Sequence, residues 1–109
     1  MEDVRANEFP DRPSRLTSSY FFDAIGEARF YRGTDLMRSA MLLYEVELIK
    51  PQSVQHSTDW RNNVHDGSLT LDWARRYWRG EHLPPDGSGH VCREILAETP
   101  LKIISKLAF

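Results

Sequence analysis

The stretch Ser19-Tyr20-Phe21-Phe22-Asp23 decides the expected fold, because it reads as the end of a strand followed by the start of a helix. From Leu16 to Phe22 the residues are mostly small, β-branched or aromatic, and they alternate between two faces in the manner of a strand. Asp23 has the side chain of a good helix N-cap. We therefore predict a strand over 16–22 that is buried on both sides near its end.

A helix is predicted directly after this strand. Ala24, Ala28 and Tyr31 recur at helical spacing, and Gly33 can end the helix in the left-handed region. Tyr20 then stands at the strand end and Tyr31 on the helix. We expect the two rings to line one cleft, the alternative being that both are ordinary core positions.

The rest of the chain predicts further short elements. They are at most one helix before Pro10, a helix over 35–40, a strand over 42–49, a polar loop from Pro51 to Gly67 with one turn near Trp60, a helix from Ser68 to Gly80 and a loop over 81–89. A strand over 91–97 follows, and then either a second strand or a short apolar extension over 101–107. Strands alternate only partly with helices, which favours an α+β fold with a small mixed or antiparallel sheet and short helices.

Composition limits the size and the class of the protein. With 109 residues, of which 40% are hydrophobic, the chain has room for one modest core, so we expect residues 1–109 to form a single domain. The formal net charge of −2 gives no general attraction to nucleic acid or to anionic membranes.

The expected environment is cytoplasmic and free of membrane. Ala40 to Tyr44 is the longest apolar run, far shorter than a membrane span, and the N-terminus does not read as a signal peptide. Cys92 is the single cysteine, so it cannot form an internal disulfide, and a reducing compartment is the default expectation.

The motif around Tyr20 resembles a known family. Tyr20-Phe21-Phe22-Asp23 with Tyr31 after a short helix is similar to the stretch of poly(ADP-ribose) polymerases in which two tyrosines sandwich nicotinamide. The segment Glu94-Ile95-Leu96-Ala97 resembles the closing glutamate strand of the wider ADP-ribosyltransferase superfamily. Thr17-Ser18-Ser19 resembles the serine-threonine-serine strand of its toxin branch. Small bacterial proteins of unassigned function in that superfamily share the general arrangement.

The resemblance implies an ADP-ribosyltransferase-like fold and an NAD site. NAD would be the substrate, and ADP-ribose would pass to a macromolecular acceptor or to water. Glu94 would be the catalytic carboxylate, because cleavage of the nicotinamide–ribose bond develops positive charge on the ribose. Tyr20 and Tyr31 would hold nicotinamide by stacking, and Ser18 or Ser19 would bind the ribose or the carboxamide.

One expected part of this site is not found in the sequence. The family carries an anchoring histidine or arginine on a first strand, and the nineteen residues before Tyr20 contain no such strand. Arg15 is the best substitute, since it opens the predicted strand and a guanidinium can bind a phosphate with two hydrogen bonds. This leaves open whether the first strand is missing and whether the protein is an enzyme.

The sequence gives only weak indications of a metal site, a catalytic nucleophile or a phosphate loop. We predict no metal site, since His82, His90 and Cys92 lack the usual spacing of zinc ligands. Cys92 stands next to no predicted base, and Gly87-Ser88-Gly89 lacks the lysine of a phosphate loop.

The alternative function is a non-enzymatic binding or regulatory module that keeps the fold and contacts a nucleotide, a nucleic acid or a protein partner. The cluster Arg75, Arg76 and Arg79, beside Trp73 and Trp78, is the candidate for phosphate or nucleic-acid contact. A solvated edge of an amphipathic helix is its simpler interpretation. The oligomeric state stays open.

Overall fold

Short helices and two antiparallel sheets make up the structure. The computed structural model describes residues 1–34, 38, 40–63, 70–83 and 92–107. In this part the elements are α1 (Glu2–Glu8), β1 (Ser19–Phe21), α2 (Ile25–Arg32), β2 (Tyr44–Leu48), β3 (Gln55–Asp59), a 3-10 helix (Trp60–Asn63), α3 (Asp72–Arg79), β4 (Arg93–Ala97) and β5 (Leu101–Lys106). The predicted α+β class is confirmed.

The strands form a three-stranded sheet and a two-stranded ribbon. The sheet has the order β1-β4-β3, and the ribbon pairs β2 with β5. β4 is central because it pairs with β1 on one side and with β3 on the other, with Tyr20, Leu96 and His56 in one cross-strand row. In the ribbon, Ile104 has no partner on β2, so the register shifts by one residue at a bulge.

Two turns join the sheet to the ribbon. β2 leads into β3 and β4 leads into β5. The β2–β5 and β3–β4 ladders are therefore two successive parts of one bent pair of antiparallel segments. At the bend, the Ile49 amide donates to the Pro100 carbonyl at 3.1 Å, and the Lys50 amide donates to Thr99 Oγ1 at 2.6 Å. Pro100 has no amide hydrogen to continue the ladder. The bend is therefore held by these bonds and by the Glu98 amide, which donates to the Val54 carbonyl at 3.2 Å.

The core lies between α3, α1 and one face of the sheet. Its buried apolar residues are Val4, Ala74, Tyr77, Trp78 and Leu96. The indole Nε1 of Trp78 donates to the Met1 carbonyl at 3.1 Å, which ties the chain's first residue to α3. Burial of such large side chains supplies most of the stabilisation expected for a chain of this size.

The first strand is shorter than predicted. β1 covers only Ser19–Phe21, and Leu16, which the prediction placed in the strand, is 80% exposed. The chain turns before the strand, because the Thr17 amide donates to the Ser14 carbonyl and the Tyr20 hydroxyl donates to the Arg15 carbonyl. The prediction that this strand starts at residue 16 was wrong.

The start of α2 also differs from the prediction. The N-cap is Ala24, and the carboxylate of Asp23 binds Arg93 instead of the helix amides. The helix does end at Gly33, but with φ of −79°, outside the left-handed region. Glycine is therefore not required there by its backbone conformation.

One strand was not predicted at all. β3 (Gln55–Asp59) lies in the segment predicted as a loop, and it buries the polar residues His56, Thr58 and Asp59. His56 Nε2 and Thr58 Oγ1 each donate to the Tyr77 carbonyl at 2.8 Å. Hydrogen bonds, and not apolar alternation, therefore make this strand compatible with burial.

Several predictions can be located only in part. The helix predicted from Ser68 is α3, which begins only at Asp72 with Leu71 as its N-cap, so the predicted start was wrong. Its predicted end at Gly80 is confirmed, and Gly80 has a left-handed φ of 74°. Ser68 itself, nearly all of the predicted helix over 35–40, and the Gly87-Ser88-Gly89 turn lie outside the described residues. No helix in the described ranges is both long enough and apolar enough to span a membrane.

Candidate functional site

A cleft of about 720 Å³ lies between β1 with α2 on one side and the β2–β5 ribbon on the other. Its wall is mostly apolar, and the charged side chains among its described lining residues are Asp23, Arg32 and Glu45. Five aromatic residues also line it: Tyr20, Phe21, Phe22, Tyr31 and Tyr44. This volume and lining are typical of a small-molecule site.

Tyr20 and Tyr31, the two tyrosines of the sequence motif, both line this cleft. β1 carries Tyr20 at its centre, and the last turn of α2 carries Tyr31. Both residues therefore border one cavity. The ring of Tyr20, however, shares the α3 face of the sheet with Leu96, its cross-strand neighbour, and lies beneath the Arg15 guanidinium.

The ring of Tyr31 already has three neighbours. Its centroid lies 5.2 Å from that of Phe22 and 5.0 Å from that of Trp60, which meets it edge to face. The guanidinium of Arg38 lies 4.2 Å from the Tyr31 centroid. A planar ligand that stacked on this ring would have to displace at least one of these groups.

Glu94 is held in a different cluster, with Arg15 and Tyr77. Arg15 Nη1 donates to Glu94 Oε1 at 2.9 Å, and the Tyr77 hydroxyl donates to the same oxygen. The side chains of Arg15 and Glu94 are 22% and 13% exposed, so the ion pair is largely shielded from water. The Arg15 guanidinium also lies over the ring of Tyr20, 4.7 Å from its centroid.

Burial and the Glu94 carboxylate keep Tyr77 protonated. Burial, with the nearby Glu94 carboxylate, raises the pKa of the Tyr77 hydroxyl far above its usual value. For Arg15, desolvation is the largest single effect and lowers the pKa, but the combined attraction of Tyr77 and Glu94 outweighs it, so the pKa is raised. Burial also raises the pKa of Tyr20. Tyr77 is thus a hydrogen-bond donor here and not a base.

Glu94 lies on the face of the sheet that packs against α3. It is opposite Thr58 on β3 and shares its face with Leu96, a core residue. Arg93, which precedes Glu94 in β4, projects to the other face and binds α2. Glu94 is not among the described residues that line the cleft. The structure thus brings Glu94 to Arg15, whose guanidinium lies over the Tyr20 ring. Tyr31 is on α2 and lines the cleft, so the predicted site residues are not all brought into one cavity.

The two predicted serines have separate environments. Ser19 Oγ donates to the Thr99 carbonyl at 2.7 Å, so it holds the bend between sheet and ribbon. Ser18 Oγ is buried and has no hydrogen-bond partner in the described part of the chain. Neither serine is among the described lining residues of the cleft.

An ion-pair cluster that the sequence did not reveal stands at the edge of the cleft. Arg93 Nη2 binds Asp23 Oδ1 and Glu27 Oε1, each at 3.1 Å. Burial raises the pKa of the Glu27 carboxyl, although Arg93 lowers it. Only the spacing of Asp23 and Glu27 by one helical turn was visible in the sequence, because Arg93 comes from β4, far along the chain.

The arginines of α3 have carboxylate partners. Arg75 binds Glu8 at 2.9 Å and Asp72 at 3.2 Å, and Arg79 binds Glu81. Much of the positive charge proposed for phosphate contact is thus already compensated. These arginines hold α3 to α1 and to the chain that follows it.

No group of three or more His, Cys, Asp or Glu side chains in the described ranges could hold a metal ion. Of the weighed zinc ligands, His82 is exposed, Cys92 is buried, and His90 lies outside the described residues. Searches among protein-family models, curated proteins and solved structures find no match to this chain.

Proposed function

We propose that this protein is a non-enzymatic binding module whose ligand occupies the cleft between α2 and the β2–β5 ribbon. The carrying observation is that Tyr20 and Tyr31 line this cleft, while the Glu94 carboxylate lies outside its described lining and is bound by Arg15 and Tyr77. Binding therefore has a cavity, in which a ligand stacked on Tyr31 would take the place of one of the groups now around that ring. Catalysis by Glu94 would first require its two partners to leave.

The lining favours a small planar ligand with little charge. Aromatic walls bind flat rings by stacking and edge contacts. Each aromatic pair contributes about 1 kcal/mol of binding free energy in addition to that from burying apolar surface. Asp23, Arg32 and Glu45 offer polar groups that would orient such a ligand. A nicotinamide-like or indole-like ring is the expected chemical class.

Ligand titration followed by NMR tests this proposal. Nicotinamide, NAD and indole serve as probes, and we expect saturable shifts at Phe22, Ala28 and Tyr44 with at least one of them. Ala28→Phe places a ring in the cleft and should weaken binding about tenfold or more. Ala6→Phe is the matched control, because it adds the same side chain to an exposed position of α1.

The proposal fails if none of the probes gives saturable shifts at the cleft up to about 10 mM, since even a millimolar dissociation constant would then be visible. It also fails if Ala28→Phe and Ala6→Phe bind the probes equally well. The folded state of both variants is checked by circular dichroism.

A second candidate is NAD-dependent ADP-ribosyl transfer, which the resemblance implies and which the shared cleft of Tyr20 and Tyr31 supports. In this reaction the nicotinamide–ribose bond breaks, nicotinamide leaves, and the acceptor or water bonds to the ribose carbon. Glu94 would stabilise the positive charge that develops on the ribose. Arg15 would have to exchange Glu94 for a phosphate of NAD.

Release of nicotinamide from NAD is the measurement that separates the two candidates. If the protein is a transferase, Glu94→Gln lowers release at least about a hundredfold, whereas Glu47→Gln on the exposed face of β2 leaves it unchanged. Binding of NAD without release of nicotinamide selects the binding module. A cytoplasmic location and a macromolecular acceptor stay predictions.

A further inference from the structure

Several large apolar side chains of the β2–β5 ribbon are exposed to solvent. Ile103 is 63% exposed, and Ile104 and Tyr44 are 48% and 42% exposed. Tyr44 forms part of the cleft wall, whereas Ile103 and Ile104 are not among its described lining residues. A two-stranded ribbon is marginally stable by itself. The side chains of Ile103 and Ile104 are therefore expected to contact something outside this chain's described residues.

Each strand of the ribbon has one partner in the described part of the chain, so each also has a free edge there. A free edge presents unpaired amides and carbonyls, and it accepts another strand. A second copy of this chain is the simplest donor of such a strand. In a two-fold pair of antiparallel strands, one residue at the centre lies opposite its own copy.

The free edge of β2 does not suit such a pair. If Val46 is at the centre, Glu45 of each copy lies opposite Glu47 of the other. If Glu45 or Glu47 is at the centre, a glutamate lies opposite itself. Like charges directly opposite each other destabilise a pair of strands, so the charges of β2 oppose self-association.

The free edge of β5 does suit it. With Ile103 at the centre, Lys102 lies opposite Ile104 of the second copy, and Leu101 lies opposite Ser105. No like charges are then opposed within the strand. With Ile104 at the centre, Lys102 would lie opposite Lys106, which is unfavourable.

We propose that two copies of this chain pair through the β5 edge, antiparallel and centred on Ile103, to form a four-stranded sheet of order β2-β5-β5-β2. The exposed isoleucines of β5 are then covered by the second copy. The pairing is centred on Ile103, which is not among the described lining residues of the cleft; only Leu101, at the end of the paired segment, also lines it.

Substitutions at Ile104 test the register. In the proposed pair, Ile104→Glu lies opposite Lys102 of the second copy and attracts it, whereas Ile104→Lys lies opposite the same lysine and repels it. We expect the dimer of the glutamate variant to have a dissociation constant about tenfold lower than that of the lysine variant. Ile49→Lys is the matched control, because Ile49 is 56% exposed but lies outside β5.

Sedimentation equilibrium gives the dissociation constants. The expected results are dimers of the wild-type protein and of Ile49→Lys, with tighter association for Ile104→Glu than for Ile104→Lys. A wild-type protein that stays monomeric at about 100 μM overturns the proposal, since a micromolar interface would be saturated at that concentration. Equal constants for the two Ile104 variants also overturn it, because charge at that position would then not face Lys102. Opposite shifts from one exposed position cannot arise from misfolding.

Discussion

The Glu94 carboxylate accepts two hydrogen bonds in a largely buried position. Removing Arg15 alone should therefore destabilise the fold more than removing the charges of both Arg15 and Glu94. We expect Arg15→Met to lower the free energy of unfolding by about 2 kcal/mol, because it leaves a shielded carboxylate without its cation. The double variant Arg15→Met with Glu94→Gln should lose less than the sum of the single variants. Urea denaturation measures all of these values.

Arg79→Met is the control for this prediction. Arg79 and Glu81 also form an ion pair, but both side chains are about half exposed, so the pair contributes little. If Arg15→Met and Arg79→Met prove equally mild, then the Arg15–Glu94 pair is not the structural contact inferred from its burial.

His56 makes stability depend on pH. Burial lowers its pKa below the ordinary value of 6.5, while its bond to the Tyr77 carbonyl acts in the opposite direction. The unfolded chain then takes up a proton at a higher pH than the folded one. The contribution of neutral His56 is complete above pH 6.5 and is lost as the pH falls from there toward the folded-state pKa.

We expect the free energy of unfolding to fall between about pH 7 and about pH 5 in the wild-type protein and to fall less in His56→Gln. Urea denaturation at several pH values measures the slope. The exposed residue His82 provides the control, since His82→Gln should keep the wild-type slope. Identical slopes for the wild-type protein and His56→Gln would contradict the prediction.

Single residues also show how far the sequence could define the site. A local strand and helix were enough to predict that Tyr20 and Tyr31 both border one cleft, but not that the ring of Tyr20 lies beneath Arg15 on the other face of the sheet. The contacts of Arg15 could not be predicted, since its partners Tyr77 and Glu94 are distant in sequence and meet only through the packing of α3 on β4. The spacing of residues along the chain therefore identified the two tyrosines, but it did not show which charged side chains form ion pairs.

The end of α3 depends on a glycine. Gly80 has φ of 74°, and a Cβ there would lie 2.9 Å from the Ser57 carbonyl oxygen of β3. We expect Gly80→Ala to lower the free energy of unfolding by at least about 1 kcal/mol, because a left-handed conformation and a close contact act together. Thermal and urea denaturation measure the loss.

Gly26→Ala is the opposite case and the matched control. Gly26 lies in the first turn of α2, and nothing lies within 4 Å of a Cβ built there. Alanine has the better helix propensity, so we expect a gain of about 0.5 kcal/mol. A loss in Gly26→Ala as large as that in Gly80→Ala would show that the effect is not due to the conformation of Gly80.

Elements differ in how much of them the sequence predicts. α3 is recognisable because its apolar stripe ends at Gly80, the glycine predicted to stop the helix. β3 is not, because Gln55-His56-Ser57-Thr58-Asp59 contains no apolar residue and becomes buried through bonds to the Tyr77 carbonyl and to Arg61. Burial of this kind depends on a partner that sequence pattern alone does not display.

In the molecule as a whole, the three-stranded sheet packs against the core, and the two-stranded ribbon packs against less of the protein. The sheet packs on α3, whereas β5 has mostly exposed side chains. In dilute solution we therefore expect amides of the β2–β5 ladder to exchange with deuterium faster than those of the β3–β4 ladder. Hydrogen exchange followed by NMR compares the two, and equal protection of both ladders would contradict this difference.

The bend at Thr99 and Pro100 links this difference to the cleft. The ribbon forms one wall of the cleft, β1 with α2 forms the other, and the ribbon continues from the sheet through the two turns that Thr99 Oγ1 and the Pro100 carbonyl hold together. The width of the cavity therefore depends on the angle between the ribbon and the sheet. Thr99 lies at the bend and is not among the described residues that line the cleft, but by fixing this angle it would limit the size of the molecule that can bind.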